Sequence, residues 1–183
     1  MAASLQASSL ATFYQNECTA TGTRPIEGVV AQLSEARTVA PGLLLHLSLV
    51  GSSLTDDQCE VLGLLLKKNH ALETLEIKPS GGAATGDAAG PSGPVFVTAG
   101  GLAAVINGIA SHPALQRLDL SGNSLSANCT AMVAECVAVS PAMESCCLDG
   151  NVVDRHAAAS LSMALKDPLC ALTSLSLSGC NMD

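Results

Sequence analysis

The chain has 183 residues, 48% of them hydrophobic and 13% charged. That is enough for one domain with a real core and excludes a chain disordered throughout. The formal net charge is −8 and the isoelectric point about 4.8, so no nucleic acid and no anionic membrane surface is expected as a partner through a general positive field.

The N-terminal residues 1–10 contain no Lys or Arg, and the first basic residue is Arg24. The segment therefore lacks the charged and apolar regions of a secretory signal, and the missing Arg argues against organellar import. No apolar run reaches the ~20 residues of a membrane span. The aromatics are Phe13, Tyr14 and Phe96, and there is no Trp, so Ala, Leu, Val and Ser must fill the interior.

From residue 44 the pattern Leu-x-x-Leu-x-Leu recurs with conservative replacements. It reads Leu44, Leu47, Leu49; Leu72, Leu75, Ile77; Leu115, Leu118, Leu120; Met143, Cys146, Leu148; and Leu172, Leu175, Leu177. The starts lie 28, 43, 28 and 29 residues apart. The long interval holds a Gly-, Ala-, Ser- and Pro-rich stretch at 79–94, and 15 residues assigned to it as an insertion restore a spacing of 28. A tolerated loop between coils is the favoured reading of that insertion. Eight residues after each start stands a small polar residue: Ser52, Ser80, Asn123, Asn151, Cys180. Buried at that position, such a side chain satisfies main-chain groups where a strand gives way to a loop.

Helical signals fill the intervals. Thr55 and Gln58 make a capping box, Asp56 and Asp57 suit the helix start and Lys67 and Lys68 its end, with Val61, Leu62, Leu65 and Leu66 as the buried stripe. Thr98 caps a helix carrying Leu102, Val105, Ile106 and Ile109. Ser126 opens one with Met132, Val133, Cys136 and Val137. Asp154 opens another with Ala158, Leu161, Met163 and Leu165. One strand and one helix cannot bury an apolar face alone; stacked coils make that face continuous.

These residues resemble the leucine-rich repeat family, in its ribonuclease-inhibitor-like class. The motif Leu-x-x-Leu-x-Leu-x-x-Asn-x-Leu stands almost complete in Leu115 to Leu125. The resemblance covers 44–183 as five units of 28–29 residues and implies an α/β fold: an open solenoid, or horseshoe segment, with short parallel strands on the concave face and helices outside. Residues 1–43 are a degenerate first coil or an N-terminal cap. Leu10, Phe13, Gln15 and Cys18 roughly occupy the motif offsets, and Thr23-Arg24-Pro25 begins a helix through Val30 and Leu33. The fifth unit is expected to leave a strand edge and some apolar surface uncovered.

On such a face the residues between the motif leucines point outward, because strand side chains alternate. Three rows follow: His46, Thr74, Arg117, Ser145, Ser174; then Ser48, Glu76, Asp119, Cys147, Ser176, joined by Tyr14 if the first coil is real; then Val50, Lys78, Ser121, Asp149, Ser178. Tyr14, His46, Glu76, Lys78, Arg117, Asp119, Cys147 and Asp149 are the candidate partner-binding residues, Tyr and Arg being enriched at interface hot spots.

The sequence offers no catalytic constellation. The Gly-rich run Val95–Leu102 lacks phosphate-loop spacing. The four histidines have no metal-ligand spacing with cysteine; His70 and His112 lie near helix C-termini, where the helix dipole favours a positive charge. Cys147 has no His beside it as a base. The eight cysteines, without Cys-x-x-Cys, read as reduced small hydrophobes in a cytoplasmic, reducing setting. The expected function is non-catalytic protein binding, as an adaptor or a subunit of a larger assembly, without cofactor or metal. The contact is the concave face or the exposed C-terminal edge, a homodimer through that uncapped end being one form of it. Ran GTPase-activating protein is similar in repeat class, which makes GTPase regulation the alternative, although no residue motif here carries that activity.

Overall fold

The computed structural model describes residues 5–39, 41–79 and 98–181. Among them are six helices and one five-stranded sheet, all parallel, with strands in chain order. Most of the insertion expected at 79–94, and Ser80 with it, lies outside the described residues.

The first two elements are helices. Helix α1, Ala7–Thr21, buries Ala7, Leu10, Tyr14 and Cys18 at helical spacing and ends at Gly22, whose φ of 69° is left-handed. Helix α2, Glu27–Ala36, buries Val29 and Leu33. A first coil would need a strand between Leu10 and Cys18, and that stretch is helical instead. The helical period is the one that buries its apolar residues together.

Strand and helix then alternate: β1 His46–Val50, α3 Asp56–Lys68, β2 Thr74–Lys78, α4 Ala99–Ile109, β3 Arg117–Asp119, α5 Ala127–Val139, β4 Ser145–Cys147, α6 Arg155–Lys166 and β5 Ser174–Ser176. Thr55 and Gln58 form the capping box of α3, and Thr98, Ser126 and Asp154 cap α4, α5 and α6. From α3 onward each helix packs on the next, α3 on α4, α4 on α5 and α5 on α6, and α1 packs on the other side of α3. Leu47, Leu75, Leu118 and Cys146 pair in register across four strands and point into the core.

The strand-to-loop turns are joined by asparagines. Asn123 Nδ2 donates to the Ile77 and Leu120 carbonyls at 2.7 and 2.9 Å. Asn151 Nδ2 donates to Leu120 and Leu148 at 3.0 and 2.8 Å, and its Oδ1 accepts from the Leu125 amide at 2.9 Å. Cys180 continues the ladder with a longer thiol contact to Leu148 O, 3.3 Å.

Two glycines set the α3–α4 contact. A Cβ on Gly108 would lie 2.5 Å from Gly63 O and 2.8 Å from Gly63 Cα, and one on Gly63 would collide with Ala104 O. The helices therefore meet backbone to backbone.

The expected apolar stripes need correction at two helices. Met132 is half-buried, with Cys129 and Ala134 taking core places. In α6 the buried residues are Ala157, Leu161 and Ala164, while Ala158 and Leu165 are exposed and Met163 is 74% exposed. Leu165 corresponds in the repeat to Leu66, Ile109 and Val137, all buried. Those three have helices on both sides, whereas α6 has a helix neighbour only in α5 among the described residues.

Candidate functional site

The solvent face of the sheet assembles two of the three rows expected from alternation; the third is in strand register only at Val50 and Lys78, with Ser121, Asp149 and Ser178 in the turns that follow their strands. His46, Thr74, Arg117, Ser145 and Ser174 are register partners, as are Ser48, Glu76, Asp119, Cys147 and Ser176. The first row is exposed at His46, Arg117 and Ser174, and every member of the second is half-buried. Side chains of neighbouring strands stand within reach of one another, so polar residues there form a lateral network.

Ser48 Oγ donates to Glu76 Oε2 at 2.6 Å. Lys78 Nζ pairs with Glu76 Oε1 and donates to Asp119 Oδ2 at 3.1 Å. The Ser121 amide donates to Asp119 Oδ1 at 3.0 Å. Further along, Asp149 Oδ1 accepts from Ser176 Oγ and from the Ser178 amide, both at 2.6 Å. Hydrogen bonds from Lys78 and then Ser48 hold the Glu76 carboxyl below its ordinary pKa. The bond to Glu76 raises that of Lys78. Burial alone would raise Asp119, but the Ser121 hydrogen bonds and Lys78 outweigh it and the pKa is lowered.

Seven of the candidate residues thus share one face: Glu76, Lys78 and Asp119 in direct contact, Arg117 on β3 with Asp119, Cys147 on β4, Asp149 in the turn after β4, and His46 on β1. Arg117 is exposed and forms no ion pair among the described residues. Burial pushes the Cys147 thiol up; the backbone hydrogen bond at Asp149 opposes this, and the charges of Asp119 and Asp149 add to it, so it stays protonated at neutral pH and is a poor nucleophile.

Tyr14 is the correction. It is 1% exposed in α1, and its phenolic oxygen accepts from the Ile26 amide at 2.9 Å, which ties α1 to the start of α2. It is a core residue, removed from the strand face by the helical geometry of its segment. The glycine-rich start of α4 is also filled. Thr98 Oγ1 accepts from the Gly100 and Gly101 amides and donates to Asp56 Oδ2 at 2.7 Å, which sets a carboxylate where an anion would bind. Among the described residues no group of three or more His, Cys, Asp or Glu side chains is arranged to hold a metal ion, and no helix is long and apolar enough to cross a membrane.

One contributor to this face has no sequence signal. Gln32 of α2 reaches the free edge of β1 and bonds both backbone groups of Ser48. A lone Gln on a helix carries no periodicity that announces such a contact.

No protein-family model matches the chain, and no curated protein matches it.

Proposed function

We propose that the stacked strand–helix coils are a leucine-rich repeat solenoid of the ribonuclease-inhibitor-like class and that the chain is a non-catalytic protein-binding module, an adaptor or subunit that docks a protein on its strand face. The single observation that carries this reading is the five-strand row Ser48–Glu76–Asp119–Cys147–Ser176. It presents prearranged polar side chains on a face of the sheet opposite the leucine-lined core. Fixing Lys78, Glu76 and Asp119 before contact lowers the ordering cost of association, and Arg117 beside them is free to serve as an anchor. Eight unpaired cysteines, five of them buried as small apolar side chains, fit a reducing, cytoplasmic setting.

The test is affinity capture with three forms of the chain. Wild type and Glu60→Lys, which alters an exposed helix position, should retain the same stoichiometric protein partner. A double variant Arg117→Glu, Asp119→Arg that folds normally should lose it. Retention by the double variant, or loss on Glu60→Lys instead, overturns docking through the strand face.

A further inference from the structure

The helix-to-strand turns carry a second polar ladder, at the N-terminal ends of the strands. Asn69, fully buried after α3, donates from Nδ2 to the Leu44 carbonyl at 2.9 Å and accepts at Oδ1 from the Ala71 amide at 3.3 Å. One coil later His112, 3% exposed, does the same two jobs. Its Nε2 lies 2.5 Å from the Asn69 carbonyl oxygen, and its Nδ1 accepts from the Ala114 and Leu115 amides at 3.3 and 3.1 Å. These partners require a neutral ring with its hydrogen on Nε2. The sequence-based expectation of a cation favoured at the helix end is therefore reversed, because a buried imidazole with an obligatory acceptor nitrogen resists charge.

We propose that His112 is an acid-released latch between the α3 and α4 coils: a proton on Nδ1 displaces the Ala114 and Leu115 amides and loosens the turn that joins α4 to β3. Position 69 shows that a buried amide can meet both demands without titrating, so the imidazole adds proton sensitivity to a joint that works without it.

The surroundings offer no compensation for the charge. The turn after α3 carries His70, which disfavours a charge on the ring, and its Nδ1 is buried without a hydrogen-bond partner among the described residues. Helix α4 carries no charged residue. The segment from α5 to β4 carries the exposed Glu144, the segment from α3 to β2 carries the half-buried Glu73, and Lys67 and Lys68 at the end of α3 are exposed. Among the described residues no carboxylate pairs with the ring. Burial holds the His112 pKa below the ordinary imidazole value; the Asn69 carbonyl opposes this and His70 adds to it. The sign follows: as pH falls below about 6.5 the unfolded or opened chain takes the proton first, so the latch is intact above that pH and is lost progressively below it.

The experiment is amide hydrogen exchange from about pH 7.5 to about pH 5, spanning ordinary imidazole titration, on wild type and His112→Asn. After correction for the pH dependence of exchange itself, wild type should lose protection at Leu115 by up to about tenfold per pH unit below the unfolded-state pKa. His112→Asn, which copies the side chain at position 69, should lose none in that window. Equal losses in the two proteins overturn the proposal. If His112→Asn does not fold, imidazole NMR of wild type decides: Nδ1 gaining its proton only together with loss of Leu115 protection supports the latch, and Nδ1 protonating while protection persists overturns it.

Discussion

The Gln32 side chain serves Ser48 as a neighbouring strand would: Nε2 donates to Ser48 O at 2.6 Å while Oε1 accepts from the Ser48 amide at 2.8 Å. An outer strand otherwise leaves such groups open to another chain. Gln32→Ala should destabilise the protein by about 1–3 kcal/mol, the cost of leaving part-buried polar groups unpaired. It should also raise light scattering during heating. Gln32→Glu keeps the acceptor and loses the donor, so it should fall between. An unchanged melting temperature in Gln32→Ala would show that water replaces the amide without loss.

The Gly63–Gly108 contact predicts an inverted helix-propensity result. Alanine stabilises an exposed helix interior relative to glycine by about 1 kcal/mol. In Gly108→Ala the new methyl meets the α3 backbone at 2.5 Å, so the helices must part, at a cost of about 1–3 kcal/mol for overpacking. Thermal melts should show a lowered midpoint for Gly108→Ala and none for Asn107→Ala, an exposed neighbour on the same helix.

Asn151 closes three backbone groups from two successive turns of chain. Asn151→Ala leaves them buried and unpaired and should cost about 3 kcal/mol, read as a shift in the denaturation midpoint. Asn151→Asp places an acceptor against two carbonyls and should be worse still. An effect smaller than that of Cys180→Ala would contradict the ranking of the two ladder residues.

The Glu76–Lys78–Asp119 group predicts a modest acid-side slope. Both carboxyls have lowered pKa values in the fold, so their stabilisation is present above the unfolded carboxyl range. It is lost as pH falls through the folded values. Lys78, with a raised pKa, contributes until pH climbs through its folded value. The side chains paired with Lys78 remain 29% exposed, so solvent screening limits the gain to about 1 kcal/mol or less. Lys78→Met should reduce the dependence at both extremes in urea titrations across pH; an identical pH profile would show the group to be energetically silent.

The strand rows were legible in the sequence because a fixed spacing sets the register and a two-residue alternation sets the face; His46, Arg117, Glu76 and Asp119 stand where those periods put them. Tyr14 departs from the strand reading because Leu10, Tyr14 and Cys18 also satisfy a helical period, and the helix buries them together. Met163 and Leu165 show a different limit: an apolar stripe says which residues want cover, and only the neighbouring elements decide which receive it. Gln32 and His112 escaped because each acts through one contact to a distant turn, and a single polar residue leaves no repeating trace.

The backbone contact between Gly63 and Gly108 also shapes the molecule as a whole. Parallel strands lie about 4.8 Å apart, whereas packed helices ordinarily need about 8–10 Å. A stack tied along both layers must therefore arc toward its strands. Where Gly63 and Gly108 let α3 and α4 draw together, that mismatch shrinks. Bulk added at this joint would push α3 and α4 apart and change the separation of His46 from Ser174 without altering a residue of the strand rows.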